Sequence, residues 1–320
     1  MSFPLFQRPG TIVFLDDDPD YLEMLALVLP RNWHVRLVAS PRLCIDTLRA
    51  EQPAWEADAW QQQQMVDQWR AGKPLVPQIL QYWATETERF ALTRVCVVDF
   101  SMPEMDGLQV LSELAEWPGA RVLLTGQADE QVAVNAFNRG LIEQFIAKQM
   151  PDMSRHLVQV MQRLLATPHP RHAQTWRATL KPEHNAVLRD LTVAHELAEY
   201  ASRRWVEHVV IGDPFGVLGM DAAGYISWLQ LESRSGLPAL AEVAMQAGLD
   251  SQAVDDIRSG RRLANVELGA AMQRPVELAE VFSIGAKQQL LAASFPLTQE
   301  PGEAGYARWL ARQPRRQVET

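Results

Sequence analysis

The chain has 320 residues, of which 47% are hydrophobic and 22% charged, and its formal net charge is −9. This length is enough for two domains that each bury a core of their own. The acidic balance argues against nucleic acid as a partner, because phosphate backbones are bound by clustered Lys and Arg. Cys44 and Cys96 lack metal-ligand spacing, so neither a disulfide framework nor a zinc site is expected.

No segment has the pattern of a secretory signal or the length of a membrane span. The N-terminal sequence MSFPLFQRPG lacks a basic region followed by a long apolar stretch, and later apolar runs are short. We therefore expect a cytoplasmic protein with no membrane contact.

Strand and helix patterns alternate between residues 11 and 150, which is typical of βαβ units around a parallel sheet. The predicted strands cover 11–15, 34–38, 95–98, 121–124 and 144–147. The predicted helices between them cover 19–29, 41–50, 106–116 and 129–139. Together with an amphipathic helix over 151–166, they predict an α/β domain with a five-stranded parallel sheet over 1–166.

Residues 53–93 interrupt this alternation, because they far exceed the usual length of a connection between a helix and a strand. Two helical patterns separated by AGKP predict an inserted helical pair. The insertion carries four tryptophans, Trp55, Trp60, Trp69 and Trp83. They either pack the insertion against its own domain or form a surface for a partner or a second copy.

The second half predicts a smaller α+β domain. The breaker-rich TPHPRHAQ and a long helix over 182–210 form a linker over 167–212. Two β-hairpins flanking helices near 237–247 and 251–259 predict an antiparallel sheet over 213–297. The tail 298–320 is polar and expected to be loose, apart from a short helix around 306–311.

Four predicted strands of the first domain end in polar residues. These are Asp16 and Asp17, then Asp99, Thr125 and Lys148. Because ligands of open parallel sheets lie beyond the carboxyl ends of the strands, we expect these side chains to converge. Carboxylates are hard oxygen ligands suited to Mg²⁺, and an Asp can itself attack a phosphoryl group. The hydroxyl and the ammonium can hold the oxygens of that group.

The motifs FLDDDP, VVDFSMPEMDGL, LLTG and FIAK occur in this order, and residues 11–165 resemble the receiver domain of two-component response regulators. The resemblance implies a flavodoxin-like, doubly wound fold. It also implies that Asp99 accepts a phosphoryl group from a cognate histidine kinase or phosphotransfer protein. The Mg²⁺ ligands implied are Asp17 and Asp99 directly, Asp16 through water, and the backbone carbonyl of Ser101.

The same resemblance implies roles for three further residues. Thr125 would move to a phosphoryl oxygen, Phe145 would rotate inward, and Lys148 would pair with the new charge, so that the surface over 126–148 changes. The matching loop residues are Met102, Pro103 and Gly107. One departure is that Gln149 and Met150 separate Lys148 from a proline that usually follows the lysine directly.

Two acidic residues of these motifs are predicted to cap helices instead of binding metal. Asp18 precedes Pro19 at the start of the first helix, and Asp106 precedes Gly107. Both positions are typical of N-cap residues. His195 is interpreted as an ordinary helical residue.

A rival interpretation is a phosphatase of the haloacid-dehalogenase type, in which Asp16 would be the nucleophile and Asp18 its partner. That interpretation leaves Asp99 and its MPEMDG loop without a role. No acidic pair after Lys148 completes its metal site.

Two interpretations of the second half remain open. Its order of elements is similar to a PAS-like sensor fold, which would make it a protein-interaction or sensor module and allows a homodimer. Alternatively, residues 240–262 resemble a helix-turn-helix that would present Ser251, Gln252, Asp255, Asp256 and Arg258 to DNA. Residues 201–290 hold 8 basic and 11 acidic side chains, a net charge of −3, which disfavours DNA binding. No GGDEF, EAL, HD-GYP or ATPase motif is present, so the output is not expected to be enzymatic.

Overall fold

The computed structural model describes residues 2–126, 130–286 and 289–320. The chain divides into two compact units. We call the first the parallel unit; it contains Pro9–Trp60, Glu88–His169 and Trp309–Thr320. We call the second the antiparallel unit; it contains Met1–Arg8, Gln61–Thr87 and Pro170–Arg308. No helix in the described ranges has both the length and the apolar character needed to cross a membrane.

The strands in chain order are β1 Phe6–Gln7, β2 Thr11–Leu15, β3 Val35–Val38, β4 Thr93–Asp99, β5 Ala120–Thr125, β6 Gln144–Ala147, β7 Glu207–Gly212, β8 Phe215–Met220, β9 Ile226–Glu232, β10 Arg262–Ala264, β11 Leu278–Glu280, β12 Phe282–Ile284, β13 Leu290–Pro296 and β14 Val318–Glu319.

The α-helices in chain order are α1 Pro19–Val28, α2 Pro41–Ala50, α3 Gln52–Arg70, α4 Leu75–Thr85, α5 Gly107–Glu113, α6 Glu130–Asn138, α7 Met153–Ala166, α8 Pro170–Arg177, α9 Pro182–Val187, α10 Leu191–Arg204, α11 Leu237–Gln246, α12 Ser251–Arg258, α13 Val266–Met272 and α14 Tyr306–Arg312. A 3₁₀ turn covers Thr87–Phe90.

The parallel unit is a parallel sheet covered by helices on both faces. Its strand order is β14-β3-β2-β4-β5-β6. Alternate residues of each strand point to opposite faces. Val13 and Leu15 therefore join one core cluster, to which α2 and α5 contribute. Ile12 and Phe14 join the other, to which α1 and α7 contribute. The predicted α/β class is confirmed, and each of the five predicted strands is present.

The sheet has six strands rather than five, because the C-terminal β14 pairs in parallel with β3. Two nitrogens of Arg36 donate to the carboxylate of Glu319 at 2.9 and 2.6 Å. Arg316 donates to the carbonyls of Ala26 and Leu29 at 2.9 and 3.1 Å. The last turn of α1 has no basic residue of its own. Arg316 supplies a positive charge there and binds carbonyls that the helix leaves unpaired. The predicted short helix around 306–311 is present as α14, whereas the prediction of a loose tail is wrong for β14.

The prediction of one long helix over 182–210 is also wrong, because these residues form two helices and most of a strand. The chain leaves α9 at Val187, and Asp190 then caps α10 by accepting from the amides of Thr192 and Val193. From Glu207 onward the chain is extended as β7, which pairs antiparallel with β8. The run His208 to Ile211 is rich in β-branched residues, which favours a strand.

The units do not follow the predicted domain boundaries. Residues 61–87 of the insertion belong to the antiparallel unit, as do residues 1–8 and residues 170–212 of the predicted linker. The insertion is the predicted helical pair, α3 and α4. Trp55 and Trp83 are buried in the cores of their units, whereas Trp60 is 63% exposed. Packing against the insertion's own domain thus holds for Trp55, whereas Trp83 is buried in the antiparallel unit.

The antiparallel unit contains a sheet of order β1-β7-β8-β9-β13-β12. Both predicted hairpins are present, as β8 with β9 and β12 with β13, and the predicted helices between them are α11 and α12. Three long strands precede these helices where two were predicted, because β7 was assigned to a helix. The PAS-like interpretation depends on that order and stays unconfirmed.

Candidate functional site

The acid pair at the end of β2 has one buried and one exposed member. Every residue of β2 is buried, and the two acidic residues follow directly after the end of this strand. Asp16 is 2% exposed, whereas Asp17 lies on the surface. The amide of Asp18 donates to Asp16 Oδ1 at 3.0 Å, which fixes the buried carboxylate at the strand end.

Asp18 caps α1, as predicted. Its Oδ1 accepts from the amides of Asp20 and Tyr21 at 3.0 and 3.2 Å, and Pro19 begins the helix. The third acid of the run therefore satisfies backbone donors of the first turn.

Asp99 is the last residue of β4 and is 4% exposed. Its Oδ2 accepts from the amide of Ser101 at 3.0 Å. A Cβ at Gly107 would clash with the carbonyl oxygen of Asp99, so the start of α5 can approach the strand end only with glycine there. Asp106 caps α5 with a capping box formed with Gln109, which confirms its predicted role.

Thr125 ends β5 and is fully buried. Its hydroxyl oxygen has no hydrogen-bond partner in the described part of the chain. A buried hydroxyl without a partner is costly and calls for an explanation. Phe145 in β6 is half-buried and packs against the core cluster on the α2 and α5 face. Residues 127–129 of the predicted switch surface lie outside the described residues.

Lys148, just beyond β6, joins the two strand ends. Its Nζ lies 2.8 Å from Asp16 Oδ2 and 2.6 Å from Asp99 Oδ1. Burial alone would lower the pKa of Lys148, but hydrogen bonds to Asp16 and Asp99 outweigh it, and the pKa is raised. The ammonium therefore stays charged.

The carboxylates are only partly neutralised by this one ammonium. Burial raises the pKa of Asp16 despite the opposing effect of Lys148, and the charge of Asp99 adds to the increase. Carboxylate oxygens of Asp16, Asp17 and Asp99 all lie within 4.8 Å of one another. Three carboxylates facing one ammonium leave two negative charges, and oxygen ligands of this kind suit Mg²⁺. The residues present fit a divalent cation.

Sequence reasoning missed Tyr21. The ring of Tyr21 lies beneath the ammonium of Lys148, with Nζ 4.4 Å from the ring centroid. The sequence offers little signal for this contact, because a tyrosine in the first turn of an amphipathic helix is usually part of the core.

The helix-turn-helix-like segment consists of α11, a turn at Gly248, and α12. Val254 and Ile257 are buried. Asp256 accepts hydrogen bonds from Arg261 and Gln252, and Arg258 lies 3.7 Å from Asp255. Arg258 and Arg261 therefore already have acidic partners within the chain, so nothing here favours DNA.

Residues 63–161 match the family model of the response regulator receiver domain. The match includes Asp99, Thr125 and Lys148, and begins after Asp16 and Asp17. This part of the chain is therefore similar to the receiver domains of response regulators.

The structure of the Legionella pneumophila response regulator LqsR is similar to this chain along almost its entire length. The TM-score is 0.74, the identity 22%, and 98% of each chain is covered. At this identity the likeness shows a shared fold, which extends through the antiparallel unit. No curated protein sequence matches this chain.

Receiver domain structures from two further bacteria are each similar to about half of this chain. The Clostridium thermocellum protein has 16% identity and a TM-score of 0.31, over 49% of this chain and 94% of its own. The receiver domain of an HD domain-containing protein from Pseudomonas fluorescens Pf-5 has 18% identity and a TM-score of 0.30, over 49% and 95%.

Proposed function

We propose that this protein is a two-component response regulator that accepts a phosphoryl group on Asp99 in the presence of Mg²⁺. The donor would be a histidine kinase or a phosphotransfer protein. The observation that carries the proposal is the convergence of three carboxylates, Lys148 and the hydroxyl of Thr125, which has no partner among the described residues, at one edge of the parallel sheet.

The reaction assigned to this edge is attack of an Asp99 carboxylate oxygen on the phosphorus atom. The new bond is an acyl phosphate, and the bond to the donor breaks with its electron pair leaving on the donor. No general base is required, because an ionised carboxylate carries no proton. The chain itself contributes phosphoacceptor and electrostatic groups, so we expect no enzymatic output beyond self-phosphorylation and the loss of the phosphoryl group.

Asp16, Asp17, Asp99 and the backbone carbonyl of Ser101 would hold the Mg²⁺. When bound, the cation supplies positive charge that neutralises the oxygens of the transferred group. Lys148 would exchange its ion pair with Asp99 for one with the phosphoryl oxygens, since the acyl phosphate carries the larger negative charge.

Thr125 and Phe145 would carry the change to the surface. The Thr125 hydroxyl would donate to a phosphoryl oxygen, which gives the buried group a partner. The movement of Thr125 would leave space for the half-buried ring of Phe145 to turn inward. The charge of the phosphoryl group would thus shift the side chains of Thr125 and Phe145 from one packed arrangement to another.

The antiparallel unit would deliver the output as a protein-interaction or sensor module. The net charge of −3 over 201–290 and the internal pairing of Arg258 and Arg261 support an interaction with protein over one with DNA. A homodimer is one form that this interaction can take.

The test of the phosphoacceptor is incubation with acetyl phosphate and Mg²⁺, followed by intact mass. We expect the wild-type chain to gain one phosphoryl group that hydroxylamine removes, as an acyl phosphate should, and Asp99→Asn to gain none. Asp18→Asn is the matched control, because Asn caps a helix about as well as Asp, and it should label like the wild type. Labelling that survives Asp99→Asn, or a wild-type chain that never labels, would refute the proposal.

A further inference from the structure

Tyr21 lies between the first turn of α1 and the ion-pair network. Its amide donates to Asp18 Oδ1 at 3.2 Å, so the N-cap fixes the backbone from which the ring projects. The ring is half-buried against the core cluster on the α1 and α7 face. The position of the ring is therefore set by the cap and the core, not by Lys148.

The ring contacts Lys148 through its face. Nζ of Lys148 lies 4.4 Å from the ring centroid, within the distance at which a cation is attracted to an aromatic face. The Tyr21 hydroxyl is buried and has no hydrogen-bond partner among the described residues. Burial raises the pKa of Tyr21 to about 12, so the ring meets the ammonium as a neutral aromatic.

The ammonium of Lys148 thus has three partners in the site. Asp16 and Asp99 accept from it on one side, and the Tyr21 ring covers another. The side chain of Lys148 is still 26% exposed, and a lysine stem has many rotamers to lose when its end is fixed. Without the ring, water would replace the aromatic face and the ammonium would sample more positions.

We propose that Tyr21 is a positioning residue whose ring holds the Lys148 ammonium where the phosphoryl group on Asp99 needs it. This rests on the proposed phosphoacceptor function. Tyr21 touches neither the phosphorus nor the attacking oxygen in the proposed reaction and acts through Lys148 alone.

The first test measures beryllofluoride, a phosphoryl mimic, by ¹⁹F NMR at saturating Mg²⁺. Tyr21→Leu should bind it roughly tenfold more weakly, the usual scale of one partly desolvated cation–π contact. Tyr21→Phe keeps the ring face and should bind like the wild type. Tyr82→Leu, which removes another half-buried tyrosine ring but in the antiparallel unit, is the matched control and should also bind like the wild type.

A double-mutant cycle with Lys148→Met tests whether the effect passes through the ammonium. In the Lys148→Met background, Tyr21→Leu should cause no further loss of beryllofluoride affinity. Wild-type affinity in Tyr21→Leu, or an equal loss with and without Lys148, would overturn the proposal.

A second measurement requires neither phosphate nor beryllofluoride. The chain has only four lysines, Lys73, Lys148, Lys181 and Lys287, so lysine labelled with ¹³C at the ε carbon gives few signals, and Lys148→Met assigns the relevant one. The Lys148 ε protons should show a ring-current shift in the wild type and Tyr21→Phe, and lose it in Tyr21→Leu. An unshifted wild-type signal would contradict the contact itself. If the wild type shows the shift yet binds no beryllofluoride, the phosphoacceptor function fails while the contact stands.

Discussion

Both units contain a six-stranded sheet, yet only the parallel one gathers its polar side chains at one edge. In the parallel unit, Asp16, Asp99, Thr125 and Lys148 follow four neighbouring strands and meet. In the antiparallel unit the buried polar side chains are spread along the strands, as with Glu207, His208 and Gln230. Within the described residues, Asp16, Asp17 and Asp99 form the only acidic, His or Cys group placed to hold a metal.

The difference follows from strand direction. All carboxyl ends of a parallel sheet lie at the same edge, whereas antiparallel strands place them at alternate edges. In the antiparallel unit, buried polar side chains pair with nearby backbone: His208 Nε2 pairs with the carbonyl of Pro4 at 3.0 Å, and Gln230 donates to that of Ala264 at 3.1 Å. We therefore expect substitutions inside the antiparallel sheet to affect stability, and those at the parallel edge to affect chemistry.

The largest expected effect on stability is that of Trp228→Ala in β9. Trp228 is fully buried, and truncating such a side chain usually costs about 3–5 kcal/mol through lost burial and the cavity left behind. Urea unfolding should show this loss in the transition of the antiparallel unit, while acetyl phosphate still labels the folded protein.

Trp60→Ala is the matched control, because Trp60 is 63% exposed. Its effect on the free energy of unfolding should stay within about 0.5 kcal/mol. Equal losses in the two variants would contradict the assignment of Trp228 to the core. Loss of labelling by acetyl phosphate in folded Trp228→Ala would contradict the expectation that substitutions in the antiparallel sheet affect stability and not the chemistry of the parallel unit.

The site was more predictable than its surroundings because its geometry follows from strand direction. Once strands end at Asp16, Asp99, Thr125 and Lys148 in a parallel sheet, the side chains must meet. Tyr21 could not be predicted, since its contact depends on the direction of a side chain across a helix turn. Periodicity cannot distinguish that position from an ordinary core position.

The fold was least predictable where short segments depend on distant partners. β14 has two residues, too few for any period, and is held by pairing with β3 and by Arg36 and Arg316. β7 was predicted as helix because its sequence directly follows the apolar stripe of α10. Its strand character depends on β8, which the preceding pattern does not encode.

Acid should destabilise both units, because each contains a histidine whose pKa is lowered in the folded chain. Burial lowers the pKa of His208 in the antiparallel unit, and of His34 in the parallel unit, to about 4. The unfolded chain takes up a proton near pH 6.5 and the folded chain does not. The stability contribution is therefore complete above about pH 6.5 and is lost as pH falls toward about 4, with about 3 kcal/mol at stake for His208.

His208→Gln removes this titration and keeps a donor for the carbonyl of Pro4. Urea unfolding between pH 7 and pH 4 should show a flatter acid dependence for the antiparallel unit alone. His34→Gln should flatten that of the parallel unit. A variant whose acid dependence matches the wild type would show that the histidine is already protonated in the folded chain.

The smallest expected effect separates two neighbouring acids at the parallel edge. Asp18→Ala removes the N-cap of α1 and should cost about 1 kcal/mol of stability, with Mg²⁺ affinity close to that of the wild type. Asp17→Ala should instead weaken Mg²⁺ binding strongly, because it removes one of three carboxylates, while leaving the cap intact. Calorimetric Mg²⁺ titration and urea unfolding measure the two effects separately. An equal loss of Mg²⁺ affinity in Asp18→Ala and Asp17→Ala would contradict this prediction. It would show that Asp18 also binds the cation and does more than cap α1 through the amides of Asp20 and Tyr21.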